Sequence, residues 1–386
     1  MSRTSESASA EPSTRLDPRA NPHLQGHETA EKSLVAAVNS GRLHHAWLIT
    51  GPVGIGKATL AFRFARFLLA AGGGEGALPP PEASLFGDCP AAPDRPVPTS
   101  LAVAPDHPVF RRVAARGHAD LITVERAVND KTGKLRNEIV VDDVRAVGGL
   151  IGHTPAEGGW RVVIVDSADD LNRNAANALL KALEEPPVRT VLLLVSHAPG
   201  RLLPTIRSRC RRLALQPLDE ATVLSLLRRY RPELNEAEAA TLTELAAGSI
   251  GQALRLADAD GLAVHAALME ILARLPDLDV VALDRLGDRV GKAGAEGAFE
   301  IVEMTFRAWL HRTIRYVATE GAAGPDADAL HDPALMARLA RAASLDRWLQ
   351  VWEKARGLLA RADSANLDRK QVVLTLFLDL QDAVRS

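Results

Sequence analysis

Cysteine is almost missing from this chain: its 386 residues hold two, Cys89 and Cys210. Two distant cysteines exclude a disulfide-stapled small fold and a four-cysteine zinc module, and they suit a reducing compartment. No apolar run approaches the roughly 18 residues of a membrane span. Residues 1–14, rich in Ser, Glu and Ala, lack the apolar stretch of an export signal. Neither export nor membrane insertion is expected. Charge of one sign is missing too, because the formal net charge is −2. A free-standing nucleic-acid binder usually carries a basic field, so any DNA contact is expected to be local or shared. Apolar residues, at 47%, supply core for two or three domains.

The most informative segment is Gly51-Pro52-Val53-Gly54-Ile55-Gly56-Lys57. It follows Ala46-Trp47-Leu48-Ile49-Thr50, which reads as a buried strand, and precedes Leu60 to Leu69, which reads as a helix. Strand, glycine-rich turn and helix form the setting of a phosphate-binding loop, whose backbone N–H groups curl around phosphate at a helix N-terminus. Lys57 would reach the β and γ phosphates. The next residue normally supplies a hydroxyl to Mg²⁺, and here it is Ala58. Thr59 is a poor substitute, since successive helical residues point about 100° apart. The alternative is a glycine-rich turn without a ligand, and the flanking strand and helix weigh against it.

Residues 1–20 read as a disordered tail on composition. From Asn21 a helical pattern carries Leu34, Val35 and Val38. The Gly/Ala/Pro-dense stretch 71–108 reads as an insertion without regular structure. Asp120 to Val124 is a candidate strand, followed by a polar turn around Lys131 to Lys134. Ile139 to Arg145 then leads into a helix with Asp142 as its expected cap. Arg161 to Asp166 and Thr190 to Ser196 are dense apolar strands of the kind covered on both faces, which points to a parallel α/β sheet. Between them, Asn172 to Glu185 is helical and Pro186-Pro187 stops it. Beyond Leu218 strand signals vanish, and helices run to the end. Trp309, Trp348 and Trp352 on apolar faces there are expected to be core.

An NTPase needs an acid at the end of a second strand to hold magnesium, and often a neighbouring Glu to activate water. Asp166 fills the first role, but Ser167 stands in the second. Asp169 and Asp170 read as capping or solvated acids. After the second apolar strand comes Ile206-Arg207-Ser208-Arg209-Cys210. An arginine at a domain edge can reach a neighbour's nucleotide. Equally, Arg207, Arg209, Arg211 and Arg212 can form a solvated basic turn.

Asn177-Ala178-Leu179-Leu180-Lys181-Ala182-Leu183-Glu184-Glu185-Pro186-Pro187 followed by Ser208-Arg209-Cys210 resembles the bacterial clamp-loader branch of the AAA+ ATPases. The likeness runs from Asn21-Pro22-His23-Leu24-Gln25-Gly26-His27 through Gly41 to Trp47 and on to about Leu256. Within that branch it is similar to delta-prime subunits of DNA polymerase III rather than to the gamma/tau motor. The resemblance implies an AAA+ α/β domain over 21–217, a helical lid over 218–261 and an all-α collar over 262–386. It implies a non-hydrolysing stator that works with gamma/tau and delta and, through the complex, with the sliding clamp, polymerase core and primed DNA in the bacterial cytoplasm. Lys181 is a weak candidate for DNA contact.

Motor subunits of this branch carry Ser or Thr where this chain has Ala58, an Asp-Glu pair where it has Asp166-Ser167, and a sensor arginine where Gly248-Ser249-Ile250-Gly251 places Gly251. Ser196 falls at the first sensor position. By the same resemblance Arg209 is the finger that completes a neighbouring subunit's ATP site. Gly51, Gly54, Ile55, Gly56, Lys57, Ala58, Thr59, Asp166 and Ser196 are the candidate nucleotide-binding set, for ATP or ADP held without turnover. No zinc is expected, since Cys89 alone falls where many relatives carry four cysteines. The rival readings are an active gamma/tau-like ATPase and a free-standing DNA-binding protein.

Overall fold

The computed structural model describes residues 17–72, 97–128, 133, 135–258, 261–292, 295–319, 333–364 and 367–385. They fall in two compact units, Met1–Leu218 and Asp219–Ser386.

The first unit runs α1 (Glu28–Asn39), β1 (Ala46–Thr50), α2 (Lys57–Gly72), α3 (Pro108–Ala114), β2 (Leu121–Val124), α4 (Val141–Gly152) and β3 (Arg161–Asp166). It continues with α5 (Arg173–Glu184), β4 (Thr190–Ser196), α6 (Pro204–Arg209) and β5 (Arg211–Ala214). The five strands form one sheet in the order β2-β3-β4-β1-β5, and every adjacent pair is parallel. This is the parallel α/β class expected. Because side chains alternate along a strand, Trp47, Ile49, Val162, Ile164 and Leu193 face a core built with α1 and α2. Leu48, Val163, Val165, Leu192 and Leu194 face a second core built with α4 and α5. Each fully buried aliphatic side chain contributes roughly 1.5–3 kcal/mol, so the two apolar faces fix the register. That register pairs Thr50 with Ser196 and Asp166 with Val195. The strand ends that carry the candidate site are therefore side by side.

Several sequence expectations need correction. Asp17 to Ala20 is not tail: these residues form a turn in which Arg19 is buried. The Arg66 guanidinium donates to Arg19 O (2.7 Å) and Asn21 O (2.8 Å) and holds this segment on α2. Residues 1–16 lie outside the described ones. So do residues 73–96 of the expected insertion, but Leu101 is core and α3 begins at Pro108, where proline suits the first helical turn. The N-cap of α4 is Val140, whose N–H donates to the Asp143 carboxylate at 2.9 Å, and not Asp142, which pairs with Arg145 at 2.5 Å. Arg211 and Arg212 are in edge strand β5, not in a turn. Of the polar turn around Lys131 to Lys134, only Gly133 is described.

The second unit consists of α7 (Glu220–Tyr230), α8 (Glu236–Leu245), α9 (Ile250–Asp258), α10 (Gly261–Ala273), α11 (Val280–Gly291), α12 (Glu296–Ala318), α13 (Pro333–Ala342), α14 (Leu345–Ser364) and α15 (Arg369–Arg385). Helix α9 packs against α7, α8, α10 and α12. Trp309 and Trp348 are fully buried and meet edge to face at 6.2 Å, the aromatic packing of a core. Trp352 is half-buried beside His311. Among the described residues no helix is long and apolar enough to cross a membrane.

Candidate nucleotide site and arginine edge

The loop between β1 and α2 needs its glycines. Gly51, Gly54 and Gly56 have φ of +148°, +77° and +102°, a region that side chains with a Cβ avoid. At Gly51 the reason is also contact: a Cβ there would lie 2.6 Å from Leu215 O, where the chain leaving β5 donates Leu215 N to Thr50 O. His27 Nε2–H donates to Ile55 O at 2.6 Å. Burial lowers the pKa of this imidazole, so it braces the loop as a neutral donor. Ile55 is buried, while Ala58 and Thr59 sit half-buried on the first turn of α2.

Lys57 is 3% exposed. Its Nζ donates to Gly51 O at 2.7 Å and to Pro52 O. Burial lowers its pKa to about 8, against the opposing pull of Asp166 and Asp169. An ammonium held inside a ring of backbone groups at a helix start is what a polyphosphate requires.

The acids and hydroxyls across from the loop are arranged differently. Asp166 ends β3, and its pKa is raised, first by burial and then by Glu125, with Arg19 and Lys57 opposing. Arg19 reaches this acidic group from the N-terminal segment, pairing with Glu125 at 2.8 Å and stacking 5.0 Å from the Phe62 ring centroid. Ser167 Oγ is hydrogen-bonded to His197 Nε2 at 2.9 Å. Ser196 Oγ, fully buried, donates to Asp169 Oδ1 at 2.7 Å. Asp169 also accepts His197 N and Ala198 N. Asp170 pairs with Arg126 at 3.3 Å. The register thus brings together Lys57, Asp166 and Ser196, while sequence reasoning missed Arg19, His27 and His197. The Asp17-Pro18 turn signal could have marked Arg19, because Arg19 N donates to Asp17 Oδ1 at 2.9 Å as in an Asx turn.

These donors do not fit a divalent metal. Ala58 has no side-chain oxygen, the Ser167 hydroxyl is engaged with His197, Asp169 already accepts three donors, and burial disfavours the charged form of Asp166. Among the described residues no group of three His, Cys, Asp or Glu could hold an ion. The backbone loop and Lys57, by contrast, fit phosphate. Cys89 lies outside the described residues, and burial pushes the Cys210 thiol up to about 12, an unreactive state.

Arg209 closes α6, next to the sheet edge. Its Nη1 donates to Thr205 O at 3.0 Å and its Nη2 pairs with Glu184 at 2.9 Å. Arg207 and Ser208 are exposed, as is Lys181 on α5. Arg211 stacks 4.9 Å from the Trp47 ring centroid, and Arg212 Nε donates to Thr50 Oγ1 at 3.3 Å. The four arginines are therefore not equivalent solvated charges. Gly251 is the second residue of α9 in the second unit, after Gly248 at φ +82° and with Ser249 Oγ accepting Gln252 N.

Residues 104–219 match the family described as DNA polymerase III, delta subunit. The chain is 38% identical over 212 residues to DNA polymerase III subunit delta' of Pseudomonas aeruginosa, covering 55% of each chain. It is 34% identical over 242 residues to the Escherichia coli subunit delta', covering 63% of each. The aligned part is thus less than two thirds of those relatives' length. Similarity to subunit gamma/tau of Mycobacterium tuberculosis is lower, 28% over 72% of this chain and 44% of that one. A gamma subunit-related protein of Thermotoga maritima superposes with a TM-score of 0.37 at 18% identity, covering 92% of this chain and 100% of that one. Over the aligned residues, this chain is similar to the delta-prime subunits of DNA polymerase III.

Proposed function

We propose that the chain is the delta-prime-type stator of a DNA polymerase III clamp loader. It binds ATP or ADP in its own loop without hydrolysing it and supplies Arg209 to the ATP site of an adjacent gamma-type subunit. The observation that carries this reading is a division within one site. The phosphate-binding half, Gly51 to Lys57, is intact, while the hydrolytic half is not: Ala58 and Ser167 supply neither a metal ligand nor a general base, and Ser196 is committed to Asp169.

The helices after Asp219 supply the lid and the oligomerising collar in this reading. Gamma/tau and delta are the direct partners. The sliding clamp, the polymerase core and primed DNA are engaged through the assembled ring, at the replisome in the cytoplasm. Reconstitution with gamma and delta tests it. The purified chain alone should show no Mg²⁺-dependent ATP turnover. Arg209→Ala should leave assembly intact and lower the DNA-stimulated ATPase of the complex by about tenfold or more. Turnover by the isolated chain that Lys57→Ala abolishes would establish an ATPase instead.

A further inference from the structure

Glu184 is out of place by local rules. It ends α5, where unsatisfied carbonyls make the helix terminus negative and a carboxylate is disfavoured. Pro186-Pro187 follow and prevent the helix from continuing. The compensation comes from another element: Glu184 Oε1 meets Arg209 Nη2 at 2.9 Å, while Arg209 Nη1 is held by Thr205 O at 3.0 Å. Side-chain exposures of 48% for Glu184 and 35% for Arg209 put the pair at the surface, where an ion pair adds little to stability. What the two contacts do supply is geometry. Together they fix a long, rotamer-rich side chain at two points.

A guanidinium carries five N–H donors, and these contacts occupy two of them. The backbone beneath it is equally constrained, since Arg209 ends α6 and Arg211 is paired with Trp47 in the sheet. We infer that Glu184 is the positioning residue of the arginine finger, holding Arg209 fixed and pre-aimed so that its remaining donors meet a neighbour's phosphate without a search. This rests on the finger reading above. A donor fixed before the reaction stabilises developing charge more than one that must be ordered during it. A partner acid that instead sequestered the finger would act with the opposite sign.

The experiment uses the reconstituted complex with gamma and delta, isolated as an assembly before assay, and measures DNA-stimulated ATP turnover. Glu184→Ala should lower kcat by roughly three- to tenfold with KM for ATP unchanged. Glu184→Gln, whose carbonyl oxygen still accepts the Arg209 N–H, should recover most of it. In an Arg209→Ala background, Glu184→Ala should add nothing, because Glu184 acts through Arg209. Unchanged or faster turnover by Glu184→Ala overturns the inference, and so does a further loss in the Arg209→Ala background. If Arg209→Ala alone leaves turnover unchanged, the finger reading and this inference fall together.

Discussion

Nucleotide affinity should fall as pH rises through the Lys57 pKa. Lys57 must be protonated to meet a polyphosphate, and burial has brought its pKa from 10.5 to about 8. At pH 7 about nine-tenths of Lys57 is charged and at pH 9 about one-tenth, so affinity should drop about tenfold over that interval. Stability responds with the opposite sign. Between about 8 and 10.5 the unfolded chain binds the proton more readily than the folded one, so the Lys57 contribution to folding rises with pH there and is lost as pH falls through 8. The nucleotide-induced increase in melting temperature should therefore shrink with rising pH, while this group by itself makes the nucleotide-free protein no less stable. Titration with a fluorescent ADP analogue at pH 7, 8 and 9 reads the effect. Lys57→Arg, which keeps its charge throughout, should flatten the profile. A flat profile in the unaltered protein, or one with the same slope in Lys57→Arg, would refute the assignment of Lys57 to phosphate.

Four further outcomes follow, three at the same site and one in α4 as a control. Asp169→Ala strips the acceptor from the buried Ser196 hydroxyl and from two backbone N–H groups. It should cost about 3–5 kcal/mol in denaturant unfolding, against a total of roughly 5–15 kcal/mol for an ordinary domain. A loss under about 1 kcal/mol would mean the network is solvated. Gly51→Ala should cost about 2–4 kcal/mol through its positive φ and the contact with Leu215 O. Gly148→Ala, in α4 with open space around it, should be neutral or stabilising by up to about 1 kcal/mol in the same denaturant unfolding. Because Ala58 and Ser167 offer no metal ligand, ADP affinity with EDTA should match that with Mg²⁺ within about twofold. A larger loss on chelation would show a metal ligand at a residue other than these.

Legibility from sequence followed the range of the interactions. The β1, loop and α2 segment was readable because glycine, helix start and apolar run are local signals. The strands of β3 and β4 were readable because burial on both faces leaves a continuous apolar run. Strand β5 was not: of its four residues only Leu213 is buried, so an edge strand rich in arginine carries almost no apolar pattern. Helix α3 had its proline signal at Pro108, but the surrounding Gly/Pro density masked it. Arg19 was unreadable for a different reason. Its partner Glu125 is 106 residues away, and short-range composition cannot report a contact at that separation. Ser196 was found by position, but its acceptor Asp169 lies 27 residues earlier. The sequence could thus place the hydroxyl without showing where its hydrogen bond goes.

Those long-range contacts bear on why the losses at this site belong together. A phosphate loop that lost only its magnesium hydroxyl would leave an acid, a base position and a sensor still aimed at the ligand. Here two of those groups have partners within the chain, Ser167 with His197 and Ser196 with Asp169, while burial and Glu125 disfavour the charged form of Asp166. Changing Ala58 to Thr would therefore add one ligand to a site whose two hydroxyls are already engaged. Arg209 is held by a single carboxylate and one carbonyl, at a surface. The buried hydrogen bonds inside the site resist rearrangement because breaking them strands polar groups away from water, whereas the arginine at the edge keeps unused donors and loses little by meeting a new partner. Chemistry directed outward to a neighbour, and not inward to its own loop, is what that difference in commitment favours.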